Sequence, residues 1–136
     1  MKNKNRVNWL RVSYRVGAVA DFLAAIVMLS PKLGKYLYGS PSSDPGTEFR
    51  YAMGLGASLM FGWTFLLLWA DRKPLERKGI LILTIFPVIF GLIISGIYAV
   101  ITNLVAIERM IPTWIFQVAL IALFSFSYFN SRNGEQ

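Results

Sequence analysis

Residues 79–107 read GILILTIFPVIFGLIISGIYAVITNLVAI, 29 consecutive positions without a charge. A helix needs about 20 apolar residues to cross the hydrocarbon core of a bilayer. Two further blocks meet that length: 51–70 is uncharged over 20 residues and 110–131 over 22. A water-soluble core would alternate its apolar residues with polar ones, and these blocks do not alternate. Composition points the same way. Of 136 residues, 55% are hydrophobic and 15% charged, with a mean hydropathy of +0.51. Soluble domains usually carry about 25% charged residues. The chain therefore reads as a single integral membrane domain over residues 1–136.

A fourth block, near Trp9 to Ser30, is interrupted by Arg11, Arg15 and Asp21. The uninterrupted part is too short to span, so the helix must begin upstream, with both arginines reaching back to the headgroups. A cleaved signal peptide is the rival reading. Asp21 in the middle of the apolar stretch argues against it, as does the position of Ala18-Val19-Ala20 before most of the apolar run. The expected fold is an all-α membrane four-helix bundle with spans at about 11–30, 50–70, 79–101 and 112–130.

The connections differ in character. Ser30-Pro31 ends the first span and opens a long loop rich in Gly, Pro and Ser, including Gly39, Ser40, Pro41, Ser42, Ser43, Pro45 and Gly46. Within it, Leu33, Tyr36, Leu37 and Tyr38 form one amphipathic turn suited to the membrane interface. Asp71 to Lys78 is a short charged hairpin, and the stretch from Thr102 to Ile111 leads to Pro112, a favoured helix start.

The net charge is +7 and the pI about 10.0, yet the basic residues flank apolar blocks instead of lining a nucleic-acid face. With the N-terminus inside, 10 of the 14 lysines and arginines lie on the cytoplasmic side; Lys32, Lys35, Arg50 and Arg109 lie outside. The positive-inside bias places both termini in the cytoplasm and the long loop outside. With no Cys and no His, the chain lacks thiol and imidazole chemistry and the usual zinc ligands. Its seven acids suggest no catalytic carboxylate pair. No enzyme activity, cofactor or metal is expected.

Small residues recur every fourth position at Gly54, Ser58 and Gly62, and at Gly91, Ser95 and Ala99. That spacing lets helices approach closely, within the bundle or in a dimer. Pro87 falls in the middle of the third span and should disturb it.

Asp21 is the sharpest single signal, because an acid deep in a membrane needs a proton or a partner. At 100° per residue it shares a small, polar face with Tyr14, Gly17, Ala24, Ala25 and Met28, while Phe22, Leu23, Ile26 and Leu29 cover other faces. At a rise of 1.5 Å per residue, Asp21 lies roughly 13 Å below the outer surface, Ser58 about 10 Å and Gln117 about 8 Å. Ser95 and Tyr98 fall at comparable heights, and Arg50 stands at the outer end of its helix. Asp21, Arg50, Ser58, Ser95, Tyr98 and Gln117 are thus the candidate residues of a polar pocket opening outward. Two readings of that cluster stand side by side: a hydrogen-bond network that sets helix register, and a ligand or ion site.

The arginine opening the second span (Phe49-Arg50-Tyr51), its glycines (Gly54, Gly56, Gly62) and the basic hairpin ADRKPLER at 70–77 resemble the broad DoxX-like class of small bacterial membrane proteins. The resemblance implies a four-helix bundle in a prokaryotic plasma membrane, in a class for which accessory roles beside redox enzymes have been proposed. Three functions are compatible with the residues: a non-catalytic accessory or assembly partner working through helix contacts; a small oligomeric transporter or channel using Asp21; and an outward-facing site for a lipid or other amphiphile. The expected partners are the lipid bilayer, a second copy or a larger membrane complex, and no nucleic acid.

Overall fold

The computed structural model describes residues 2–38 and 46–132. Their secondary structure is helical, with no strand among the described residues: α1 (Lys2–Leu29), α2 (Pro31–Tyr38), α3 (Thr47–Asp71), α4 (Gly79–Leu83), a π-helical stretch Thr84–Ile89, α5 (Phe90–Ile101) and α6 (Ile107–Arg132). Four segments are long and apolar enough to cross a membrane: Asn5–Leu29, Thr47–Asp71, Gly79–Ile101 and Ile107–Arg132. Residues 39–45, most of the expected Gly/Pro/Ser loop, lie outside the described residues.

Local chemistry explains the boundaries. Pro31, with no N–H to leave unpaired, starts α2 directly after Ser30, whose hydroxyl accepts weakly from the Leu33 amide at 3.5 Å. The expected amphipathic turn is thus a two-turn helix. α5 ends at Ile101, and two residues on Asn103 adopts a φ of 56°. Its amide donates to the Val100 carbonyl (3.0 Å) and that of Leu104 to Ala99 (2.9 Å), closing the last turn. Asparagine tolerates this left-handed conformation better than other residues with a Cβ.

Two boundaries depart from expectation. α1 begins two turns before position 11, because the polar residues ahead of Leu10 continue the helix beyond its apolar block. α6 begins at Ile107, so Pro112 lies inside the helix instead of starting it. There it lacks the N–H that would meet the Glu108 carbonyl, a loss borne at the exposed end of the helix. Pro87 disturbs the third span as a π-helical stretch, whose wider turn relieves the clash of the proline ring with the preceding turn.

α1 and α3 run antiparallel and make the most extensive helix contact. The Thr64 hydroxyl lies 3.5 Å from the Ala18 carbonyl, and Phe22 meets Phe61 edge-on at 5.6 Å. Gly17 is required here: a Cβ on it would stand 2.9 Å from Phe124 Cζ and 3.0 Å from Leu67 Cδ1. α6 seals the other side of α1, where the buried hydroxyls of Ser13 and Ser127 pair at 2.7 Å. The third span leans on α6.

All four long segments contribute to one core: Leu10, Tyr14 and Ala18 from α1, Leu67 and Ala70 from α3, Leu81, Ile85 and Ile89, and Leu120 and Phe124 from α6. This core occupies the half of the bundle nearer the 71–78 hairpin, where Tyr14 donates to the Pro74 carbonyl at 3.2 Å. Asp71 pairs with Arg15 at 3.1 Å, and Arg77 lies over the Trp69 ring at 3.3 Å and donates to the Trp69 carbonyl.

The small-residue stripes do not pack this bundle. Ser58 and Gly62 are exposed, and a Cβ added to Gly54, Gly62 or Gly91 would meet nothing within 4 Å. Close approach is made instead at Gly17, at Gly56 against Met28, and at Gly96 against Trp114.

Candidate functional site

The half of the bundle away from the core encloses a cavity of about 880 Å³. That lies within the several-hundred to thousand Å³ typical of small-molecule sites. It exists because α3 rests on α1 while α5 rests on α6, and α3 and α5 make no extended contact with each other. The Trp63 indole N–H on α3 donates to the Thr84 hydroxyl of the third span at 3.1 Å. Thr84 opens the π-helical stretch, and it passes its own hydroxyl proton to the Ile80 carbonyl at 2.8 Å. Ile85 and Ile89, just past Thr84, still belong to the core, and this span enters the cavity lining from Leu92.

The walls come from Val27–Leu29 at the end of α1, Phe49, Arg50, Met53 and Gly54 on α3, Leu92, Ser95 and Gly96 on α5, Val105, and Met110, Thr113 and Gln117 on α6. α2 closes the end through Pro31, Lys32, Gly34 and Lys35. Arg109, from the first turn of α6, holds α2 in place by donating to the Tyr36 carbonyl at 3.0 Å. A basic side chain on a helix's last carbonyls also complements the helix dipole.

The lining is mostly apolar, with three cations, Lys32, Lys35 and Arg50, and no acid among the described residues. Gln117 is 7% exposed and its Oε1 has no hydrogen-bond partner among the described residues. A buried amide oxygen without a partner costs free energy, so this position favours an incoming donor. Among the described residues no group of three His, Cys, Asp or Glu side chains gathers in a way that could hold a metal. What the cavity offers is apolar volume, a few neutral polar groups and positive charge at one end.

Of the six residues singled out in the sequence, Arg50, Ser95 and Gln117 line the cavity. Asp21, Ser58 and Tyr98 do not. The face of α1 lies as its pattern implied: Tyr14, Gly17 and Ala25 are buried, and Phe22, Leu23, Ile26 and Leu29 are exposed. Asp21 on that face is half-buried, but the α1–α3 register sets it near the level of Phe61 and Thr64, deeper than Ser58. Its Oδ2 is buried without a hydrogen-bond partner among the described residues. Ser58 turns its hydroxyl to the Gly54 carbonyl of its own helix at 2.9 Å, and Tyr98 is 69% exposed.

The lining residues not anticipated are chiefly Lys32, Lys35, Met110 and Thr113. One sequence signal was present for the lysines: they recur at a helical spacing of three, on the strip of α2 opposite Leu33 and Leu37. Comparison with protein families, with curated proteins and with solved structures finds no match to this chain.

Proposed function

We infer that this is a multi-pass membrane protein whose role is to bind an amphiphile: the hydrocarbon part occupies the cavity and the polar part sits at its cationic end. The observation that carries this reading is a cavity of about 880 Å³ with a mainly apolar lining, three cations and no acid among its described residues. The role is binding, with no chemical step. Both termini are placed in the cytoplasm of a prokaryotic cell by the lysine and arginine tally and the DoxX-like resemblance, so the cavity belongs to the outer half of the plasma membrane.

Native mass spectrometry of the protein extracted from its membrane tests this reading. Wild type is expected to carry one retained amphiphile per chain, and Thr113→Trp, which fills the cavity from α6, to carry none. Wild type that never retains a ligand under any gentle extraction would overturn it.

An accessory or oligomeric role is a second reading, supported by the small face at Ser58 and Gly62, which is exposed among the described residues. Such faces are used for helix association in lipid. It is compatible with the first. A transport path through Asp21 gains no support, because Asp21 lies outside the cavity.

A further inference from the structure

Amphiphile binding, as proposed above, leaves open which amphiphile enters and by what route, and both have counterparts in the walls. Beyond the Trp63–Thr84 bond, the cavity is bounded on one side by Gly54 of α3 and on the other by Ser95 of α5. Ser95 lines the cavity and is exposed. A Cβ on Gly54 would meet nothing within 4 Å, and the same holds for Gly91, one turn before Ser95. At Gly54, Gly91 and Ser95 the two helices thus carry small side chains, with free space where a Cβ on either glycine would stand. A gap of this kind opens toward the hydrocarbon of the surrounding bilayer. Gly54 is seven residues from the start of α3, about 10 Å along the helix, which is the depth of acyl chains instead of headgroups.

The closed end has the opposite chemistry. Lys32 and Lys35, both exposed, sit on α2 at the surface end of the cavity and line it. An ammonium there meets an anion at the height where lipid phosphates lie.

We propose that the ligand is an anionic bilayer lipid that enters sideways between α3 and α5, past Gly54 and Ser95, and is held at its headgroup by Lys32 and Lys35. A lipid already in the bilayer reaches the cavity without leaving hydrocarbon, so no water-filled entrance is needed. Its charge is selected at α2 and its chain is admitted by the absence of side chains at the gap.

The test uses the full chain reconstituted in vesicles of phosphatidylglycerol and phosphatidylcholine in equal amounts, then released for native mass spectrometry. Wild type should retain phosphatidylglycerol over phosphatidylcholine by about thirtyfold, the equivalent of about 2 kcal/mol for two lysines at about 1 kcal/mol each. Lys32→Gln with Lys35→Gln should retain both lipids equally. Exchange of retained lipid for deuterated phosphatidylglycerol should slow at least tenfold, by order of magnitude, in Gly54→Leu and in Ser95→Leu, since the barrier at the gap rises by more than about 1.4 kcal/mol. Ala52→Leu, exposed on the same helix and outside the lining, should exchange as wild type does. Gly54→Leu has open space to occupy, and Ser95→Leu offers a second, independent block should the first misfold. Equal retention of the two lipids by wild type would overturn the headgroup assignment, and wild-type exchange in both blocked variants would overturn the lateral route. Retention of neither lipid would instead contradict amphiphile binding itself.

Discussion

The Trp63 indole and the Thr84 hydroxyl, 3.1 Å apart, link α3 to the third span. Thr84 is 3% exposed and the first residue of the π-helical stretch that contains Pro87. Leu67, Ala70 and Leu81 lie on the hairpin side of the bond in a shared core that continues past it to Ile85 and Ile89; the cavity lies farther out. Trp63→Phe removes the only donor of the bond while keeping a ring in place. An interhelical hydrogen bond in a membrane is worth on the order of 1 kcal/mol. The variant should melt in detergent a few degrees below wild type, and an unchanged Tm would show that the bond does not tie the helices.

Gly17 and Gly91 should respond oppositely to added side chains. A Cβ at Gly17 meets the rigid ring of Phe124 and Leu67, both fully buried, so Gly17→Val forces the α1–α3–α6 junction apart. Overpacking of this kind costs about 1–3 kcal/mol. Gly91→Ala meets no neighbour and should be as stable as wild type or more so, since alanine is the better helix former. Thermal unfolding of the two variants side by side checks the packing; a stable Gly17→Val would contradict it.

Asp21→Asn deletes a charge whose Oδ2 is buried without a hydrogen-bond partner among the described residues. Burying an ionised carboxyl is costly, so the amide variant should unfold at the same temperature as wild type or a higher one. Because Asp21 is outside the cavity lining, lipid retention should be unchanged. Loss of retention in a well-folded Asp21→Asn would return Asp21 to the site.

Topology follows from the charge tally. A reporter active only in the cytoplasm, fused after Gln136, should be active, and a tag inserted at Ser42 or Ser43 should be reached only from outside. A tag reached only from the cytoplasm would invert the orientation of the cavity.

Much of this architecture is legible in the sequence. The span Gly79–Ile101 is uncharged between a charged hairpin and a polar Thr-Asn turn, and its bounds are read directly from that contrast. The start of α6 is harder to see, because Glu108 and Arg109 look like loop until Arg109 is found holding α2. The burial face of α1 is legible because small and large side chains alternate along it. Depth is not: the levels of Asp21 and Ser58 depend on the register between α1 and α3, which Gly17, Ala18 and Thr64 set by contact and which apolar patterning does not encode. Ser58 illustrates a second limit, since a serine in a helix can satisfy itself on the preceding turn and so need not mark a polar site. The stripe at Gly54, Ser58 and Gly62 fits helix contact by spacing alone, whereas here its first member opens a cavity wall.

Occupancy of the cavity is tested most directly by chemistry from inside its wall. Met28, Met53 and Met110 line it, and Met110 is 8% exposed, shielded from the surrounding bilayer. Protein whose methionines are replaced by a diazirine-bearing analogue, irradiated in its native membrane and sequenced by fragment mass spectrometry, should carry a lipid-mass adduct on Met110. Adducts on the exposed surface with only water or protein products at Met110 would contradict a lipid-binding cavity.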